Sequence, residues 1–90
     1  MAVKVRFQHT PNPNAGKFVV DRQVVEGSAS KSYYGPDQAQ GDPVAAALFR
    51  LDGVASLFMV EDFITVMKRP DAGWERLVPD VVATIEASMS

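Results

Sequence analysis

Val54-Ala55-Ser56-Leu57-Phe58-Met59-Val60, then Glu61-Asp62, then Phe63-Ile64-Thr65-Val66-Met67, is the stretch on which the fold turns. Both arms are rich in β-branched, aromatic and other apolar residues, and only two acidic residues separate them. The pattern predicts two strands joined by a tight hairpin. Glu-Asp is not a favoured pair for a primed two-residue turn, so a slightly longer loop stays open as an alternative. In the second arm Phe63, Thr65 and Met67 alternate with Ile64, Val66 and Lys68. Both sets contain apolar residues, which predicts a central strand, covered on one side and partly on the other.

Working outward, Val3-Lys4-Val5-Arg6-Phe7-Gln8-His9 alternates apolar and polar residues with period two, the pattern of a half-buried strand. Lys17-Phe18-Val19-Val20 is a second short strand that pairs with the first across the segment between them. That segment, Thr10-Pro11-Asn12-Pro13-Asn14, is a stiff connector. Proline fixes φ and pushes the residue before it toward extended backbone, and asparagine bonds its own local backbone. Residues 21–34 have no clear period. Val24-Val25 can extend the sheet, while Gly27, Ser28 and Ser30 weaken any regular element. Gly35-Pro36-Asp37 signals a turn.

Asp42 followed by Pro43 reads as a helix start, with Asp42 as N-cap and Pro43 in the first helical position. Val44, Ala47, Leu48 and Leu51 form its apolar stripe, and Gly53 stands where a left-handed residue commonly follows a helix. A second helix runs from Trp74 to Met89, with Leu77, Val81, Ile85 and Met89 recurring every four residues and Pro79 placed to distort its early turns. The elements so read run ββαββα. They predict one α+β domain over residues 1–90, a two-layer sandwich of a mainly antiparallel four-stranded sheet with two helices on one face.

Ninety residues make one domain with a thin core, burying roughly 60–65% of the unfolded surface. A formal net charge of −2 argues against a general nucleic-acid binder, which needs a basic surface. There is no apolar run of membrane-spanning length and no charged-then-apolar leader at the start, so a cytoplasmic, non-membrane protein is expected. The absence of cysteine removes disulfides, a thiol nucleophile and thiolate metal ligation together.

Few residues carry recognisable chemistry. The single histidine, His9, ends a strand and reads as an ordinary surface residue, with metal binding as the weaker alternative. Glu61-Asp62 is explained by solvation in a turn; its functional reading is an acidic patch for a basic or iron-bearing partner. Tyr33-Tyr34 lies in the least patterned region, where one ring covers the core edge and the other is free to form a binding surface. There is no glycine-rich phosphate loop, no G-x-S-x-G and no H-E-x-x-H, so no enzyme is expected.

Several short motifs, in order, resemble the N-terminal domain of the Nfu/NifU-like iron–sulfur cluster scaffolds over about residues 5–85. They are Thr10-Pro11-Asn12-Pro13-Asn14 with Lys17-Phe18, Ala47-Leu48-Phe49 with Gly53-Val54, Asp62-Phe63-Ile64-Thr65-Val66, and Trp74 with Pro79. Tyr34 stands where the family often has phenylalanine, and Asp52 where it often has proline. The resemblance implies a part in cluster biogenesis. In full-length members the cluster is bridged by a Cys-x-x-Cys in a separate C-terminal domain, so cluster ligation carries over to no residue here. What carries over is an accessory role in recognising client or partner proteins.

The expectation is therefore a non-enzymatic interaction module for cluster assembly or delivery, acting with a cysteine-bearing scaffold or client. Iron or a cluster would reach it only through that partner. Weak iron binding by carboxylates and His9, or an interaction module no longer linked to clusters, are the alternatives. The candidate partner-binding residues are Thr10, Asn12, Asn14, Lys17, Tyr33, Tyr34, Glu61 and Asp62. For residues 10–14 a rigid crossover that sets strand register competes with a preordered recognition surface. A monomer is expected, with an edge strand available for pairing as the route to a dimer.

Overall fold

One hairpin organises the sheet. In the computed structural model, which describes residues 3–25 and 29–89, β4 (Val54–Val60) turns through Glu61 and Asp62 into β5 (Phe63–Lys68), with Val60 paired to Phe63. The loop is thus the tight two-residue one. Glu61 occupies the left-handed region at φ 51°, a conformation that a non-glycine residue adopts at a cost of about 1–2 kcal/mol. Its carbonyl is well used: it accepts from the N–H groups of Val24 (2.7 Å) and Val25 (3.1 Å), and this ties residues 24 and 25 to the turn.

β1 (Val5–His9) and β2 (Ala15–Val20) form the first hairpin across the Pro/Asn connector, as their alternation predicts. β2 then pairs with β5, so β5 lies in the middle of the sheet. Among the described residues the sheet has five strands, not four. Ser30–Tyr33 forms β3 and pairs antiparallel with β4 at the edge, giving the order β1-β2-β5-β4-β3 and the element order βββαββα. Ser30, Lys31 and Ser32 are polar and exposed, so β3 has no hydrophobic period; its partner strand defines it. The influence read at Gly27 and Ser28 falls outside the described residues.

Both helices pack on one face. α1 (Pro43–Phe49) begins as read: the Asp42 carboxylate accepts from the N–H groups of Val44 and Ala45, each at 3.1 Å, and Pro43 follows in the first turn. The helix is shorter than its stripe suggested and is rotated, so that Ala45 and Leu48 are the buried residues while Val44 and Ala47 are half-buried. Gly53 does adopt positive φ (104°), three residues past the Arg50 C-cap, in the turn into β4. α2 (Trp74–Met89) spans the residues predicted and buries Leu77, Val81 and Ile85; Pro79 sits within it on the exposed side. These side chains meet Phe18, Val20, Leu57, Met59, Ile64 and Val66 from the sheet in one core. Gly16 lets that layer close, since a Cβ there would lie 2.6 Å from the Phe7 ring and 2.8 Å from the Trp74 ring.

Candidate functional site

The connector is held from three sides. The Thr10 hydroxyl lies 2.9 Å from the carbonyls of both Asn12 and Ala15 and accepts from the Asn12 N–H at 3.2 Å. The Asn12 side-chain carbonyl accepts from the Asn14 N–H at 2.9 Å, closing an Asx turn. Asn14 reaches into the body of the protein: its backbone carbonyl accepts from the Lys68 N–H (2.8 Å) and its Oδ1 from Lys68 Nζ (3.1 Å). The Pro13 carbonyl accepts from Trp74 Nε1 at 2.9 Å. Most polar groups of the Asn-Pro-Asn segment are therefore turned toward its own backbone or toward residues at the far end of the chain.

Lys68 is the cation in this latch. Only 9% of it is exposed, and its ammonium bonds Asn14 Oδ1 and the Arg69 carbonyl (3.4 Å) and stands 5.9 Å from the Trp74 ring centre. Trp74 in turn packs on Phe7 and Phe18, with ring centres at 5.4 and 6.2 Å. The aromatic cluster and the latch form one unit on the helix side of the sheet.

The other candidates scatter. Tyr33 is half-buried and donates to Asp42 Oδ2 at 3.1 Å, joining β3 to the start of α1; Lys31 Nζ lies 3.9 Å from the same oxygen. Burial first, then the hydrogen bond to Asp42 and its negative charge, hold the Tyr33 phenol above the ordinary tyrosine range. Tyr34 is 74% exposed and its N–H donates to Gln38 Oε1. The Glu61 and Asp62 side chains are exposed on the hairpin turn. His9 is exposed at the end of β1, its ring edge-on to Phe7 at 4.8 Å. Among the described residues no group of three or more His, Cys, Asp or Glu side chains could hold a metal ion. A cleft of about 280 Å³ at the start of α2 is lined by Asp52, Asp71, Arg76 and Asp80 and brings no nucleophile beside a base.

Lys17 points to a surface that the residue-by-residue reading did not assemble. Its ammonium lies 4.2 Å from the centre of the Phe63 ring on the sheet face away from the helices. Two registered rows cross all five strands there: Arg6, Val19, Phe63, Val60 and Ser30, then Gln8, Lys17, Thr65, Phe58 and Ser32. Met67 and Ser56 continue the face one step further. Phe58 is 40% exposed. The signal for this face was present in the apolar residues on both sides of β5, but it needed the strand order to become a surface.

An α+β domain with this sheet, two helices on one face and a latched Pro/Asn connector is the class of scaffold-protein N-terminal domain described as "Scaffold protein Nfu/NifU N terminal". That family's model matches residues 5–90, and the chain belongs to the family. The human protein named "NFU1 iron-sulfur cluster scaffold homolog, mitochondrial" is 42% identical over 82 residues, covering 90% of this chain and 32% of its own length. "NifU-like protein 5, mitochondrial" of Arabidopsis thaliana is 38% identical over 81 residues, covering 90% of this chain and 29% of its own. The chain thus spans about a third of the curated relatives it matches. The crystal structure of protein SAV1430 from Staphylococcus aureus superposes with a TM-score of 0.77 at 33% identity, covering 97% of this chain and 99% of that one. A NifU-like protein from Saccharomyces cerevisiae shares the fold, with a TM-score of 0.83 at 24% identity over 98% of this chain and 79% of its own. The family is linked to iron–sulfur cluster biogenesis.

Proposed function

We propose that this domain is a non-enzymatic accessory module in iron–sulfur cluster assembly or delivery, acting by contact with a polypeptide that supplies the cysteines. One observation carries the reading: a chain with no cysteine belongs to a family of cluster scaffolds. Clusters are held mainly by thiolates, so these ninety residues contribute through contact with a thiolate-bearing domain, scaffold or client, and the cluster is cargo rather than a group they hold. The latched connector supports a binding role of the rigid kind, because a surface ordered beforehand loses little entropy on docking.

The test is cluster transfer. A cysteine-bearing NifU-type scaffold loaded with a cluster is mixed with an apo iron–sulfur protein, with and without this domain, and recovery of client absorbance is followed. Faster or more complete transfer, together with co-elution of the domain with scaffold or client, is the expected result. Unchanged transfer with no co-elution overturns the reading.

A further inference from the structure

The open face of the sheet combines apolar area with positive charge that no carboxylate among the described residues pairs. None of the described Asp and Glu residues falls in any of the five strands, whereas Arg6, Lys17, Lys31 and Lys68 all do. Lys31 and Lys68 belong to the helix side, held by Asp42 and Asn14 respectively. Arg6 and Lys17 belong to the open side, and among the described residues no carboxylate lies within ion-pair distance of either. A protein with a net charge of −2 therefore carries a locally cationic face.

We propose that this face docks an amphipathic helix of a partner protein whose apolar stripe is flanked on one side by acidic residues. Charge complementarity picks the acidic flank: Arg6 and Lys17 lie on β1 and β2, at one side of the apolar area, while the β3 side offers only Ser30 and Ser32. The dimensions fit a helix. Phe63 to Met67 spans about 13 Å along the strand, and the step from Val19 across β5 to β4 is about 10 Å. A helix is about 10 Å wide and covers that length in between two and three turns. Glu61 and Asp62 bound the end of the face nearest Arg6, so Lys17, one row further from that turn, carries the larger share of the attraction to the acidic flank. Helix-on-sheet packing is already how the opposite face is covered, and apolar anchors at helical spacing are a recurrent way to bind a partner segment.

The inference concerns which partner is bound and stands whether or not a cluster is carried; its failure would leave the transfer assay unaffected. The probes are two helix-stapled synthetic peptides of about three turns, with the same leucine stripe and either glutamate or lysine along one flank. Each is titrated into the isotopically labelled domain at low salt, and amide shifts are followed. The expected result is saturable movement of Val19, Phe58, Phe63 and Met67 with the glutamate peptide only, weakened by salt. Lys17→Glu should weaken binding about tenfold, and Arg6→Glu should act in the same direction, with each variant's spectrum showing an intact fold. Any of four results overturns the proposal: no saturable shift with the glutamate peptide, equal binding of the lysine peptide, concentration-dependent shifts on this face without peptide, or binding to anionic vesicles in place of the peptide.

Discussion

The two faces of the sheet are built from alternate residues of the same strands, yet they are different kinds of surface. On the covered face Phe18, Ile64, Val66, Leu57 and Met59 are shut away under two helices, and the one cation near the core, Lys68, is held by an asparagine, a carbonyl and an indole face. On the open face the same strands present Val19, Phe63, Thr65 and Phe58 beside Arg6 and Lys17, which have no carboxylate within ion-pair distance among the described residues. The covered face answers to stability and the open face is free to answer to a partner. Alternation alone does not separate these roles, because β5 is apolar on both sides.

The two faces differ most at two phenylalanines. Phe18→Ala removes a ring with no exposure from the covered face and should cost about 3–5 kcal/mol. Phe58→Ala on the open face should cost no more than about 1 kcal/mol. Urea unfolding midpoints check both; equal losses would mean that the open face is as structural as the covered one.

The two asparagines of the connector sharpen the picture at the edge of the covered layer. Asn14→Ala takes an acceptor from the nearly buried Lys68 ammonium and should cost about 2 kcal/mol. Asn12→Ala loses only an exposed local turn bond and should cost about 0.5 kcal/mol. Denaturation of the pair would show whether the connector's rigidity comes from its own turn or from the latch to β5.

The smallest effect concerns Tyr33, which fastens edge strand β3 to α1. Its phenol is held above the ordinary tyrosine range in the folded state, chiefly by burial, so the folded chain keeps a proton that the unfolded chain releases. That contribution is fully present below the ordinary value of about 10 and is lost as pH rises through the raised folded value. Tyr33→Phe should therefore flatten the alkaline limb of stability against pH. Thermal melts at neutral pH and above about pH 10 would read the difference.

Particular residues show why some of this was legible. The β4–β5 hairpin and α2 were readable because long, regular patterns specified them, and Asp42-Pro43 announced its helix through local cap chemistry. β3 was not: Ser30-Lys31-Ser32 has no apolar alternation, and it is a strand only because β4 has a free edge. The four-strand reading failed there, and the α1 stripe was rotated for a similar reason, since packing chose Ala45 over Ala47. Among the candidate site residues, Asn12 closes a local turn that the sequence anticipates. The partners of Pro13 and Asn14, at Trp74 and Lys68, lie 61 and 54 residues away and follow no local rule. The open face was half legible, as apolar residues without a location.

Residue identity and local pattern specify the family, the hairpins, the long helix and the lack of a thiolate in these ninety residues. Those depend on residue identity, short-range sterics and period, all of which are local. Only the fold made β2 and β4 the neighbours of β5, whose central place its two apolar sides already announced; only the fold added β3 at the edge, latched the connector to Lys68 and Trp74, and put Arg6 and Lys17 on one face with Val19, Phe58 and Phe63. Each of these depends on which strands become neighbours. That choice is made by burying one side of every strand under the same two helices, and it leaves the other side to be assembled across the sheet from residues distant in the chain.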